Sequence, residues 1–107
     1  DMTLFDLRDA LVDITPQTFH FAPPQNVKGK YIVWAEDGQA DAVWAGNKMI
    51  HQVLTGTIDL FTKEENDPMF QQIQEKLNSL DLSWRLNSIQ YEDDTGYIHY
   101  EWVWELG

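Results

Sequence analysis

The chain has 107 residues, a length typical of a single domain with one hydrophobic core. It contains no cysteine, which excludes a disulfide scaffold, a thiolate zinc site and a cysteine nucleophile. Eighteen acidic residues against seven basic ones give a formal net charge of −11, and a surface of that sign repels nucleic-acid phosphate. We therefore expect one acidic domain over residues 1–107, with no sequence-specific nucleic-acid partner.

The start of the chain gives three further expectations. Asp1 precedes Met2, and we expect it to be a residue added ahead of the natural start. No charged and then apolar leader opens the chain, so we expect no retained secretory signal. The longest apolar run is far shorter than the ~20 residues of a membrane-spanning helix, so we expect no membrane partner.

A first amphipathic helix is predicted from Leu4 to Val12 or Asp13. Thr3 stands three residues before Asp6, which is the spacing of a capping box, and leucines follow at helical spacing. The helix is expected to end before Thr15, because a residue that precedes proline is pushed out of the helical region.

A β-rich centre follows the helix. Thr18 to Ala22 and Tyr31 to Ala35 are predicted strands, and the second is apolar on both faces and therefore central in the sheet. Glu36-Asp37-Gly38-Gln39 has the composition of a turn, and Asp41 to Gly46 is predicted to be a short strand. We interpret the segment Ala35 to Lys48 as a mobile projecting loop that carries contacts, with an inert connection as the alternative.

Met49 to Thr62 is predicted to be a long strand, because apolar residues alternate onto one face from Leu54 to Leu60. Gly56 within this strand indicates a bulge or a close backbone neighbour. Asp67-Pro68 then supplies an N-cap and a proline at the first helical position, so a second helix is predicted from Pro68 to Leu80.

A terminal hairpin completes the predicted elements. Leu82 to Glu92 and Tyr97 to Leu106 flank Asp93-Asp94-Thr95-Gly96, whose glycine fits a left-handed turn position. Because the strands come in blocks, the sequence predicts an α+β fold, a mainly antiparallel sheet with two helices packed on one face. The predicted core consists of Leu7, Leu11, Ile58, Leu60, Phe70, Ile73 and Leu77.

Three histidines raise the question of a metal site, with Asp59 and Glu101 as possible carboxylate partners. His20, His51 and His99 lie in three separate predicted strands and no pair has a ligand spacing, so we predict no metal and no other cofactor. Most acids stand in loops and turns, and the sequence has neither a nucleophile elbow nor a phosphate-binding loop. We therefore assign no catalytic residue and expect no enzyme.

The final strand places large apolar residues on one face, from Ile98 through Leu106. This face either forms core beneath the helices or is an interface that a partner covers, because Trp and Tyr are favoured in protein–protein contacts. The candidate interface residues are the large aromatic residues Trp34, Trp44, Tyr100, Trp102 and Trp104.

Several features occur together along nearly the whole chain. They are the short helix with Leu4-Phe5-Asp6-Leu7, a strand ending at Pro23-Pro24, the Tyr31-Ile32-Val33-Trp34 strand, the Thr55 to Thr62 strand that runs into Asp67-Pro68, and the terminal hairpin. In this pattern the chain resembles the small tail-completion or tail-terminator proteins, the head–tail joining proteins of long-tailed bacteriophages and prophages.

The resemblance implies a virion structural protein with an α+β fold and no catalytic or cofactor residue. It implies a hexameric ring that caps the head-proximal end of the tail tube and joins it to the head. The implied partners are further copies of the chain, the tail tube protein and a head-completion protein. The implied location is the virion tail, after assembly in the host bacterial cytoplasm.

A second hypothesis comes from another class of protein. Small acidic, tryptophan-rich domains also act as immunity or inhibitor proteins, which cover a basic toxin such as a nuclease by electrostatic complementarity. The native molecular weight distinguishes the two hypotheses, because the first requires a ring and the second a monomer or dimer. Neighbouring genes, for tail proteins or for a toxin, distinguish them as well.

Overall fold

The computed structural model describes residues 2–107, and Asp1 lies outside the described residues. The elements in chain order are α1 (Leu4–Ile14), β1 (Thr18–His20), β2 (Tyr31–Ala45), β3 (Lys48–Thr62), α2 (Pro68–Asn78), β4 (Ser83–Glu92) and β5 (Tyr97–Leu106). The strands form a five-stranded sheet in the order β1-β2-β3-β5-β4. β1 runs parallel to β2, and the other neighbouring strands are antiparallel. The predicted α+β fold is confirmed.

The predicted capping box fixes the start of α1. The Thr3 amide donates to Asp6 Oδ2 over 2.8 Å, and the Asp6 amide donates to Thr3 Oγ1 over 3.3 Å. The helix continues to Ile14, slightly past its predicted end, and Thr15 is extended ahead of Pro16.

The start of α2 is confirmed in the same way. Asp67 Oδ1 accepts a hydrogen bond from the Met69 amide over 2.9 Å, and Pro68 occupies the first turn. The helix ends at Asn78, two residues before its predicted end, and Ser79 Oγ donates to the Lys76 carbonyl over 2.6 Å.

Both helices pack on one face of the sheet, where they form the core with alternate residues of β2, β3 and β5. Six of the seven predicted core residues are fully buried, namely Leu7, Leu11, Ile58, Leu60, Ile73 and Leu77. The prediction for Phe70 requires correction, because this residue is only half-buried and packs on Tyr100 and Trp102 at ring separations of 4.8 and 5.6 Å. Met69 is buried in its place because it shares a helical face with Ile73.

The prediction between Ala35 and Lys48 is only partly right: the short strand predicted from Asp41 to Gly46 is confirmed as the end of β2, but the predicted turn and loop are wrong. Glu36-Asp37-Gly38-Gln39, predicted as a turn, lies inside β2, and the predicted loop is a β-hairpin that turns at Gly46-Asn47. The pairing of β2 with β3 shifts register between Glu36 and Gly38 and between Gln39 and Asp41. These residues remain in the strand despite their turn-like composition, because a bulge admits an extra residue without ending a strand. Gly46 has a left-handed φ of 64° at the turn.

The remaining strand boundaries differ from the prediction by one or two residues. β1 ends at His20 and not at Ala22, because Phe21 has a positive φ of 72° that ends the extended backbone. β3 and β4 begin one residue from their predicted starts, and β5 spans its predicted range. Gly96 has φ 79°, which confirms the predicted left-handed turn position of the final hairpin.

Candidate interaction surface

A two-stranded arm projects from one end of the sheet. The pairing of β3 with β5 stops at Leu54, opposite Leu106, so among the described residues 48–53 pair with β2 alone. We call the hairpin of residues 41–53 the arm. Its strands of about six residues reach roughly 20 Å at ~3.3 Å per residue. The molecule is accordingly elongated, with extents of 51 × 26 × 23 Å.

The end of the arm carries four exposed apolar side chains, which we call the apolar tip: Val43, Trp44, Met49 and Ile50. Their exposed fractions are 51%, 60%, 40% and 65% in that order. They come from both strands beside the turn, and a register shift after Val43 leaves Ile50 without a direct partner. Single exposed apolar residues are ordinary, but a group at the end of a projection is typical of a contact site.

The arm also has two open edges within the described structure. β1 pairs with β2 only from Ile32 to Trp34, and β5 stops where the arm begins. Its outer backbone N–H and C=O groups therefore face away from the sheet, where a strand of another chain can pair with them. Because an isolated two-stranded ribbon is marginally stable in water, a partner strand on either edge would stabilise the arm.

The base of the arm is tightly packed. A Cβ atom at Gly56 would lie 2.1 Å from the Trp104 ring and 2.3 Å from the Ala35 carbonyl oxygen, which confirms the predicted close neighbour. Beside it, the Thr55 hydroxyl donates to Asp37 Oδ1 over 2.6 Å. The arm is thus joined to the sheet through a junction that accepts no larger residue at position 56.

The five predicted interface aromatics separate into two groups. Trp34, Tyr100, Trp102 and Trp104 are at most 8% exposed and belong to the core beneath the helices, so within this fold their own chain covers nearly all of their surface. The indole N–H groups of Trp102 and Trp104 donate to Gln74 and to the Thr57 carbonyl over 3.2 and 3.1 Å. Trp44 alone of the five is exposed, and it lies at the apolar tip.

The face of the sheet opposite the helices, which we call the open face, gathers three of the residues considered as metal ligands. Asp59 lies directly across from Glu101, and His99 is the diagonal neighbour of Asp59. One ligand atom from each of Asp59, His99 and Glu101 lies within 4.8 Å of the others. Sequence spacing could not show this, because the antiparallel register of β3 and β5 brings the residues together.

Neighbouring carboxylates contact both ring nitrogens of His99 and raise its pKa. Its Nε2 lies 2.6 Å from Asp59 Oδ1, and its Nδ1 lies 3.5 Å from Glu92 Oε2. The hydrogen bond to Asp59 raises the pKa of His99 above its usual value, against the opposing effect of burial, and the charges of the neighbouring carboxylates add to the rise.

The other two histidines lie elsewhere. The His20 Nε2 contacts Glu36 Oε1 at 2.5 Å at the edge of the sheet, and its ring stacks on Trp34. His51 is exposed on the arm, opposite Val43. The structure therefore brings one of the three histidines to the two carboxylates that the sequence analysis considered.

Several of the seven basic residues are engaged by carboxylates. Arg8, Lys30 and Lys76 each lie within 3.2 Å of an aspartate oxygen. Lys30 in particular contacts the buried side chain of Asp67, and this hydrogen bond raises the pKa of Lys30, against the opposing effect of its partial burial. Lys28 and Lys30 are the closest basic pair in the sequence. They do not act as a joint basic patch, because Lys30 is paired with Asp67, the N-cap of α2.

The chain was compared with protein-family models and with curated proteins. No protein-family model matches the chain, and no curated protein matches it. Over the described residues, neither helix has the length and apolar character needed to cross a bilayer.

Proposed function

We propose that this chain is a structural protein of a bacteriophage or prophage tail, which assembles as a hexameric ring and completes the head-proximal end of the tail tube. The arm is the observation that carries the proposal. It extends beyond the sheet, has an apolar tip and has two open backbone edges. A chain that contacts neighbouring copies at a distance from its own core needs these features.

A second apolar surface supports contact between copies. A groove of about 450 Å³ lies between the start of α1 and the edge of the sheet, lined mainly by Leu4, Phe5, His20 and Trp34. Phe5 is 67% exposed beside it. The apolar tip of one copy in this groove of the next makes a head-to-tail contact, and such contacts close into a ring when the rotation between copies permits.

The charge of the chain makes assembly sensitive to salt. Six copies carry a formal charge of −66, six times the −11 of one chain. Repulsion between copies opposes the ring, and added salt screens it over a Debye length of ~3 Å at 1 M against ~30 Å at 0.01 M. The same acidic surface favours passage of DNA without adhesion, because phosphate is repelled.

Sedimentation velocity of the purified chain tests the assembly. We expect a species of about 75 kDa, six times 12.5 kDa, whose fraction rises with protein concentration and between ~0.05 and ~0.5 M salt. A variant with Trp44→Ser and Ile50→Ser at the apolar tip is expected to remain monomeric. Ile89→Ser, at a position 55% exposed on β4, is the matched control and is expected to assemble like the wild type.

Tail assembly provides the functional readout. In cells that produce a phage tail tube protein together with this chain, we expect the wild type to give tubes of uniform length. The variant altered at the apolar tip is expected to give tubes of uncontrolled length. A strict monomer at every concentration and salt, with tubes unchanged by the variant, would contradict the proposal. Tight binding of that monomer to a basic nuclease would favour the inhibitor hypothesis.

A further inference from the structure

The open face holds more negative charge than its surroundings balance. Asp59 and Glu101 are directly opposed on neighbouring strands, an arrangement in which like charges destabilise a sheet. Glu92 adds a third carboxylate, 3.5 Å from His99 Nδ1. His99 is the single basic side chain within ion-pair distance of Asp59 or Glu92 among the described residues, so these two carboxylates share one imidazole.

The ligand atoms have a separation that suits one ion. Oxygens of Asp59 and Glu101 and a ring nitrogen of His99 lie within 4.8 Å of one another. Ligands placed ~2.0–2.2 Å from a common centre are separated by no more than about 4.4 Å, so small side-chain adjustments bring all three to one ion. The Asp59 and His99 side chains are only 14% and 20% exposed, which limits the adjustments available to them.

The surrounding residues orient these ligands. Asn87 Nδ2 donates to Glu101 Oε1 over 2.7 Å, and Phe61 stacks on the His99 ring at 4.2 Å. Nε2 carries the proton of its 2.6 Å hydrogen bond to Asp59 Oδ1, and a metal ion bound there replaces that proton. Glu92 Oε2 lies on the other side of the ring, 3.5 Å from Nδ1. A carboxylate behind a histidine in this way is the usual outer support of a metal-binding imidazole.

We propose that Asp59, His99 and Glu101 form a binding site for one divalent first-row transition-metal ion, with Zn²⁺ as the best match. An imidazole nitrogen with two carboxylate oxygens suits Zn²⁺, whereas Mg²⁺ and Ca²⁺ take oxygen ligands almost entirely. The three side chains leave one tetrahedral position for water. This site does not depend on the proposed tail function, because its residues lie on the sheet and not on the arm.

Titration calorimetry of the full chain with ZnCl₂, in a buffer that does not chelate zinc, tests the proposal. We expect saturable binding of one Zn²⁺ per chain, with no comparable binding of Mg²⁺ or Ca²⁺. His99→Gln and Asp59→Asn are expected to weaken it at least ~10-fold, because loss of even an outer-shell partner of a metal ligand has an effect of that size. His51→Gln, on the exposed arm, is the matched control and is expected to bind like the wild type.

Nuclear magnetic resonance of the histidine ring protons gives a measurement that needs no variant. Zn²⁺ is expected to shift the His99 ring signals at lower concentrations than those of His20 and His51. Absence of saturable binding, binding that survives both His99→Gln and Asp59→Asn, or shifts that begin at His20 or His51 would each overturn the proposal.

Discussion

The arm and the rest of the molecule, which we call the body, share the strands β2 and β3 but differ in what covers these strands. Along β3 the residues are exposed from Lys48 to Gln52, and they alternate between half-buried and buried from Thr55 to Thr62. The change coincides with the first pairing to β5 at Leu54. The two regions therefore differ because β5 and the helices cover β3 in the body, and not because the strand itself changes.

This difference shows what apolar residues do in each region. In the body, Ile58 and Leu60 are fully buried by their own chain, and their burial stabilises the monomer. Ile50 and Trp44 in the arm remain mostly exposed, so burying them against another chain would stabilise the association of the two chains. Substitutions in the body should therefore affect folding, and substitutions in the arm should affect association.

The largest effect is expected for a deletion of core volume in the body. Leu77 is fully buried on α2, and Leu77→Ala should lower the free energy of unfolding by about 2–5 kcal/mol through lost burial and a cavity. Urea denaturation monitored by tryptophan fluorescence measures it. A loss below about half a kcal/mol, the size of an ordinary surface effect, would mean that α2 does not pack on the sheet at Leu77.

The junction between arm and body should be the next most sensitive position. Gly56→Ala places a methyl group against the Trp104 ring and the Ala35 carbonyl, and that backbone oxygen cannot rotate away, so we expect a loss of about 1–3 kcal/mol. Gly38→Ala is the matched control, because its Cβ would meet only the Thr55 hydroxyl at 3.6 Å. Equal stability of the two variants by thermal denaturation would contradict the tight junction.

Asp67 links stability of the body to pH. Burial alone would raise its pKa, but hydrogen bonds from the Met69 amide, Thr62 and Lys30 outweigh burial and hold the pKa of Asp67 below its unfolded value of 3.8. Its contribution is therefore complete above that value and is lost as the pH falls through the lower folded-state pKa.

Asp67→Ala should cost about 1–2 kcal/mol at neutral pH, as loss of an N-cap does. Asp67→Asn keeps an acceptor for the Met69 amide but cannot titrate, so its stability should vary less with pH below 4 than that of the wild type. Denaturation midpoints of the wild type and of Asp67→Asn, measured from pH 7 to pH 3, test this expectation. A wild-type profile no steeper than that of Asp67→Asn would show that the carboxylate carries no such linkage.

Local signals made much of the body predictable. Thr3 with Asp6 and Asp67 with Pro68 define both helix starts through contacts within three residues, and the structure contains those contacts. The core could be predicted from the same short-range periodicity, and Phe70 fails because it lies at the margin of its helical face.

Long-range pairing made the rest unpredictable. Glu36-Asp37-Gly38-Gln39 has turn chemistry, but its pairing with β3 through bulges keeps it extended, and that pairing depends on residues about twenty positions away. Asp59 and Glu101 meet for a similar reason, since only the register of β3 and β5 makes them neighbours. A large aromatic residue in a strand sequence indicates burial, but the sequence does not say whether its own chain or another chain buries it. Only the three-dimensional structure shows that Trp102 is buried and that Trp44 is exposed.

A smaller effect on stability is expected in the arm. Trp44 is 60% exposed, so Trp44→Ser should change the free energy of unfolding of the monomer by no more than about 0.5 kcal/mol. Urea denaturation at a concentration too low for assembly measures it. A loss comparable to that of Leu77→Ala would mean that the arm folds back on the body and that the two regions are one cooperative unit.

The smallest effect is expected on DNA, for which we predict no binding by either region. Non-specific affinity comes from neutralised phosphates, and Lys30 and Lys76 in the body are held by aspartates while the arm contributes Lys48 alone. With a net charge of −11, a gel-shift assay with duplex DNA at ~0.15 M salt should show no complex. Asp67→Asn, which removes one of the two carboxylates within ion-pair distance of Lys30, should not create one. Micromolar binding that weakens with added salt would mean that basic residues of the two regions converge, and it would contradict an acidic ring that DNA traverses freely.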